Sequence, residues 1–153
     1  MKRELEALLL PFMLAFMSQT NGQNRGPKPF DPRKFEIELE QFIATETCLT
    51  PQESAAFFPL YREMRKKQMA YFVDDLRFTH LDITNDKACE EAIRNRDSNE
   101  IRMKEIQQTY HDKFLRILPA GRVFSIIKAE EKFHRQLMKR IAGQRNRNLK
   151  VHK

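Results

Sequence analysis

Apolar side chains recur at helical spacing in four stretches of the chain, which predicts four α-helices. The first helix covers residues 34–46, and the second runs from Pro51 to about Thr79. The third runs from near Asp86 to Leu118, and the fourth from Gly121 to about Ala142. The stripes are carried by Phe35, Leu39, Phe42, Ile43, Phe57, Leu60, Tyr61, Met64, Tyr71, Phe72, Leu76, Met103, Ile106, Tyr110, Phe114, Ile117, Val123, Ile126, Ile127, Phe133, Leu137 and Ile141. The pattern predicts an all-α fold.

The second and third helices are predicted to form a long antiparallel hairpin, because only residues 80–85 separate them. Helices of about thirty residues reach ~45 Å at the α-helical rise. Shorter helices flank this hairpin on both sides. So long and thin a hairpin buries little apolar surface alone, which predicts a homodimer. Pro59 predicts a bend near the preceding turn of the second helix.

The segment Leu49-Thr50-Pro51-Gln52-Glu53 predicts where the second helix begins. The Thr50 hydroxyl can accept from the Glu53 backbone N–H, and the Glu53 carboxylate can accept from that of Thr50. Pro51 fits the first helical position, where its missing N–H would have no intrahelical partner. We interpret the motif, formed by Leu49, Thr50, Pro51 and Glu53, as helix capping and not as a catalytic site.

The N-terminus has the pattern of a secretory signal peptide. Lys2 and Arg3 precede the apolar run of residues 7–17, which is too short to span a bilayer. Cleavage after Gly22 would place the protein in the periplasm. Glu4 and Glu6 are unusual in such leaders, and the alternative is an amphipathic first helix of a cytosolic protein.

The predicted domain organisation follows composition. Residues 1–22 are the signal peptide, and residues 23–33, with three prolines and one glycine, are a flexible linker. Residues 34–142 are the helical domain. Residues 143–153 contain basic residues and no acid, which predicts a basic disordered tail.

The net charge of +7 favours an acidic partner. Basic and acidic residues alternate along the predicted helices, and only the tail is purely basic, so nucleic acid is not expected as a partner. A cytosolic basic helical adaptor that binds nucleic acid or a partner protein remains the alternative to an exported protein.

Residues able to carry chemistry are few. Serine, histidine and acidic residues show no triad spacing, and a thin hairpin offers no pocket that excludes water, so neither an enzyme nor a cofactor is expected. Glu130 and His134 lie four residues apart and are the candidate metal ligands. Two ligands do not make a structural zinc site, which requires four, so no metal is expected.

Cys48 and Cys89 are the two cysteines of the chain. They lie at the starts of the second and third helices, about 40 Å apart by the helical rise, too far for a bridge within one chain. An antiparallel dimer would allow an intermolecular disulfide between them. Two separate thiols are the alternative.

The order of these segments resembles the Spy and CpxP type of small periplasmic helical proteins, with their zinc-resistance-associated relatives. Their Leu-Thr-x-x-Gln hallmark corresponds to residues 49–53, with Glu53 at the usual Gln position. A second copy at residues 118–122 keeps Leu118 alone. Residues 129–137, AEEKFHRQL, are similar to a Bacteroidetes branch of exported, sensor-like members. The resemblance spans roughly residues 34–142.

The resemblance implies a helical hairpin that dimerises into a curved cradle. Such a cradle binds unfolded proteins, or a sensor protein at the membrane, without ATP. Aromatic side chains mixed with Arg and Lys suit weak binding of many partly unfolded chains. The candidate client-binding or dimer surface consists of Phe57, Phe58, Tyr61, Arg62, Arg65, Lys66, Met69, Phe72 and Arg77.

Overall fold

The protein is all-α, as predicted, in the residues that the structure describes. The structure is a computed structural model that describes the backbone of residues 31–151 and the side chains of residues 31–143. Within that range the chain forms four helices and no strand: α1 (Pro32–Glu46), α2 (Pro51–Leu76), α3 (Asp86–Ile117) and α4 (Ala120–Val151). The predicted signal peptide and most of the predicted linker lie outside the described residues.

The chain divides into two compact units. The hairpin unit comprises residues 50–123, that is, α2, α3 and the first residues of α4. The flanking unit comprises α1 and its C-terminal cap, up to residue 49, and the remainder of α4 from residue 124.

The hairpin unit consists of α2 and α3 packed antiparallel. The Gln68 side chain donates to the Met103 carbonyl at 3.3 Å, and the Phe57 ring lies 4.7 Å from the Phe114 ring. Residues with lower numbers on α2 contact residues with higher numbers on α3, so the two helices run antiparallel. The core of the unit consists of Phe57, Phe58, Tyr61, Met64, Phe72, Tyr110, Phe114, Leu118 and Val123.

Local side-chain chemistry sets the bounds of α3. The Asn85 side chain accepts from the Ala88 backbone N–H at 3.1 Å and caps the N-terminus. At the other end, Leu118 is extended, with φ −133° and ψ 149°. A proline sterically disfavours helical geometry at the residue before it, which here is Leu118. Helix α3 therefore ends at Ile117.

The flanking unit buries Leu39 and Ile43 of α1 together with Ile126, Ala129 and Phe133 of α4. The Phe133 ring lies 5.6 Å from the Phe35 ring, edge to face, and 5.4 Å from the Phe42 ring. Aromatic rings at these distances stabilise each other beyond the area they bury. Phe133 is therefore the centre of the contact between α1 and α4.

Two predicted boundaries are wrong. Helix α1 begins at Pro32, inside the predicted linker, because the Asp31 side chain caps it by accepting from the Arg33 and Lys34 backbone N–H groups. Helix α4 continues past Gly143 to Val151, so the predicted helix end and disordered tail are wrong over residues 143–151. A glycine inside a helix costs only about 1 kcal/mol, and Gln, Arg and Lys favour helix. The fourth helix is thus as long as α3 and not short.

None of the described helices combines the length and the apolar composition that crossing a bilayer requires.

Candidate functional site

Four members of the predicted client-binding surface belong to the core. Phe57 is fully buried, and Phe58, Tyr61 and Phe72 are each no more than 7% exposed. The Phe57 ring contacts the rings of Phe58, Tyr61 and Phe114. The prediction that these aromatic side chains offer a surface for a partner is therefore wrong, because they stabilise the hairpin unit itself.

The remaining predicted residues do reach solvent. Arg62 and Lys66 are exposed and Met69 is half-buried, at spacings of four and three residues along α2. Val73, which the sequence pattern did not single out, is four residues further and 54% exposed. Residues at these spacings share one side of a helix. We refer to Arg62, Lys66, Met69 and Val73 as the α2 face.

Arg65 and Arg77 flank this face, since Arg65 is three residues from Arg62 and Arg77 is four residues from Val73. Arg65 is half-buried. The Arg77 guanidinium lies 4.6 Å from the centre of the Phe78 ring, 3.4 Å from the Asp74 carboxylate and 3.1 Å from the Asn95 side-chain oxygen. These contacts give Arg77 a structural role at the closed end of the hairpin.

The capping box predicted at residues 50–53 is confirmed. The Glu53 carboxylate accepts from the Thr50 backbone N–H at 2.8 Å, and the Thr50 hydroxyl accepts from the Glu53 backbone N–H at 3.2 Å. The sequence did not reveal that Arg122 donates to both oxygens of the same carboxylate, at 2.7 and 3.1 Å. The Arg122 and Thr50 hydrogen bonds lower the pKa of Glu53 to about 2.

A partly buried polar cluster around Asn99 joins α2 to α3. Asn99 is 6% exposed, and its side-chain amide donates to Asp74 at 2.9 Å and to Asp75 at 2.7 Å. Asn95 donates to the same Asp74 oxygen at 2.8 Å. The Asn99 and Asn95 hydrogen bonds lower the pKa of Asp74, whereas burial raises the pKa of Asp75. The two adjacent carboxyl groups thus differ in their environments.

The candidate metal ligands remain a pair. The Nε2 atom of His134 lies 3.7 Å from a Glu130 carboxylate oxygen. Across the described residues, no three histidine, cysteine or acidic side chains are grouped in a way that could hold a metal ion.

Cys48 and Cys89 form no disulfide within the described chain. Cys48 is exposed and has φ 50°, in the left-handed region. The Cys48 backbone N–H donates to the Thr45 carbonyl, and the Leu49 backbone N–H donates to the Ala44 carbonyl. This pair of hydrogen bonds is the Schellman motif that ends a helix. Cys48 therefore occupies a position that usually belongs to glycine. The intermolecular disulfide stays a prediction.

The chain matches no protein-family model, no curated protein and no solved structure. The resemblance to Spy-like proteins therefore stays a prediction, and function is inferred from the residues of this chain.

Proposed function

We propose that the protein is an exported, non-enzymatic binding protein of the cell envelope. It would hold partly unfolded polypeptides without ATP, as a chaperone or as an accessory of an envelope- or metal-stress sensor. The observation that supports this best is the α2 face, where exposed Arg62 and Lys66 lie beside the apolar side chains of Met69 and Val73.

This mixture of groups suits weak and unselective binding. Cations attract acidic segments over about a Debye length, ~8–10 Å at moderate salt. Apolar side chains then add short-range contact with exposed apolar residues of the client. A flexible methionine such as Met69 adapts to differently shaped side chains. Because the face is open, it can accept a long chain without requiring a fixed client sequence.

The distribution of ion pairs argues against the nucleic-acid alternative. Several cations of the hairpin unit lie within 4 Å of a carboxylate on the same helix, as in the pairs Lys67–Glu63, Arg94–Glu90 and Arg96–Glu100. A surface that follows a phosphate backbone needs a continuous run of unneutralised cations. The interleaved acids interrupt such a run.

An aggregation assay tests the proposal. The purified protein, added to a chemically unfolded client on dilution, is expected to suppress light scattering without nucleotide. The double variant Arg62→Glu with Lys66→Glu should lose most of this suppression, because it reverses the charge of the α2 face.

The matched control is Arg102→Glu with Lys104→Glu, which reverses one arginine and one lysine exposed on α3. The control should suppress aggregation like the unmodified chain. Equal loss in both variants would show that net charge alone acts, and full activity in both would remove the α2 face from the proposal.

Export is tested separately by the mass of the protein recovered from each compartment of its host. A chain that begins near Gln23 in the periplasm supports the envelope assignment. An intact Met1 in the cytosol contradicts it and favours the adaptor alternative.

A further inference from the structure

A second candidate binding site lies in the flanking unit, as a groove of about 730 Å³ between α1 and α4. The rings of Phe42 and Phe133, 5.4 Å apart, line it. Phe42 is half-buried and forms an apolar floor that a ligand can reach, whereas Phe133 is 3% exposed and packs against Phe42 as part of the core. The groove shares no residue with the α2 face, so it stands or falls independently of the proposed function.

The walls of the groove are polar. Helix α1 contributes Glu38, Gln41 and Thr45, and α4 contributes Gln136, Lys139 and Arg140. Amide side chains on both walls can donate to and accept from a peptide backbone. An apolar floor with a few polar groups on its walls is the usual composition of a ligand site.

The charges of the groove are unbalanced. Elsewhere on α4, Lys128 and Arg135 each lie within 4 Å of Glu131, and Lys132 pairs with Glu46 of α1. No carboxylate of the described residues pairs with either Lys139 or Arg140, and both are exposed. The only acid of the groove, Glu38, lies 3.8 Å from Lys34. Within the described part of the chain, the groove therefore presents two cations without an acidic partner beside the Phe42 ring.

From this arrangement we infer that the groove binds a short extended segment of a partner protein, in which a carboxylate lies next to a large apolar side chain. The apolar side chain packs on Phe42, and the carboxylate meets Lys139 and Arg140. The groove follows α1 from Glu38 to Thr45, which is roughly 10 Å at the helical rise. That length holds about three residues of extended chain at ~3.3 Å each. The ligand is thus a short motif and not a long unfolded chain.

The probe for this site is a short fluorescent peptide of alternating Asp and Leu residues around a central Phe, measured by fluorescence anisotropy with the full chain. Arg140→Glu is expected to weaken binding about tenfold or more, because it places an anion against the peptide carboxylate. Arg135→Glu is the matched control, an arginine exposed on the same helix but outside the groove. It should bind like the unmodified chain.

A second variant probes the opposite wall. Gln41→Glu changes an exposed side chain of α1 without touching the aromatic floor, and it should also weaken binding of the acidic peptide. Circular dichroism should show the same helicity for all three variants. A peptide with Lys in place of Asp, and one with Ser in place of Phe and Leu, should each bind more weakly than the probe.

Several outcomes would overturn the inference. They are no binding of the probe, equal binding by Arg140→Glu and Arg135→Glu, or equal binding of the Lys-substituted peptide. Displacement of the probe by a single-stranded oligonucleotide at lower concentration than by unlabelled peptide would assign the groove to phosphate. Probe binding that appears only after deletion of residues 1–30 would make that segment the occupant. Probe binding that is lost as the chain self-associates would assign the groove to a second copy.

Discussion

At the scale of single residues, Cys48 is under backbone strain at the end of α1. A left-handed conformation costs an L-residue about 1–2 kcal/mol, and glycine avoids this cost because it has no Cβ. We therefore predict that Cys48→Gly raises the free energy of unfolding by ~1 kcal/mol. Urea denaturation followed by circular dichroism measures the change.

Cys48→Ala is the control for this prediction. It removes the thiol and keeps Cβ, so it should leave the stability close to that of the unmodified chain. An equal gain in both variants would trace the effect to the thiol and not to the backbone.

Glu53 should give a pH-dependent contribution to stability. The pKa of Glu53 is about 2 in the folded chain, compared with 4.5 for a glutamate that has no partners. The stabilisation from Glu53 is therefore present above pH 4.5 and is lost as the pH falls toward 2. We predict that Glu53→Gln destabilises the protein at pH 7 and that the difference disappears near pH 2. Gln still closes the capping box, so the variant isolates the Arg122 ion pair.

The measurement is urea denaturation of both proteins across this pH range. Glu100→Gln is the control, since Glu100 carries an exposed ion pair with Arg96, and such pairs contribute little. A difference for Glu53→Gln that stays constant down to pH 2 would contradict the assignment.

At the scale of elements, the contact between α2 and α3 contains two neighbouring carboxyl groups, Asp74 and Asp75, whose pKa values shift in opposite directions. Burial raises the pKa of Asp75 above 3.8, so its stabilising contribution is present below pH 3.8 and is lost as the pH rises through the folded value. Hydrogen bonds from Asn99 and Asn95 lower the pKa of Asp74, so its contribution is present above pH 3.8 and is lost on acidification.

We therefore predict that the two Asp→Asn variants change stability in opposite directions at pH 7. The Asp75 carboxylate is poorly solvated, and the charged groups that act on it are Arg96, Asp74 and Glu100. Asp75→Asn removes this charge and should stabilise the hairpin. Asp74→Asn removes a carboxylate that accepts from two amides and should destabilise it. Thermal unfolding at pH 7 and at pH 3 compares them, and changes of the same sign would refute the prediction.

What the sequence revealed depended on distance along the chain. The capping box uses residues three positions apart, so local geometry was sufficient to predict it. The contact of Glu53 with Arg122 joins residues that lie 69 positions apart, and no local pattern indicates such a pair. Asn99 was not recognised as buried because its partners, Asp74 and Asp75, come from the opposite helix.

The predicted client-binding surface on α2 also shows that a local pattern does not reveal contacts with other helices. Phe57 and Phe58 are adjacent in the sequence, so a single helix directs their side chains about 100° apart. The structure buries both, which a single-helix pattern could not show. Arg62 and Lys66 are exposed, as charged side chains on a helix usually are, and their role in binding stays a prediction.

At the scale of the whole molecule, dimerisation stays a prediction. The exposed apolar side chains of the hairpin unit, Val73, Ile83, Ile93, Ile101, Leu115 and Ile117, are each at least 40% exposed. We expect sedimentation equilibrium to give a dimer, since a second copy would remove part of this surface from water. A monomer at all accessible concentrations would contradict this, and Ile101→Lys should weaken the dimer.

The ion pair of Glu53 and Arg122 also has a kinetic consequence. It joins the start of α2 to the start of α4 and so closes a loop that contains the whole hairpin. Closing so long a loop carries a large entropic cost, so the contact is expected to form after the helices have paired. An interaction that is absent from the transition state slows unfolding and leaves the folding rate almost unchanged. The pair would then set how long the native state lasts more than how quickly the chain reaches it.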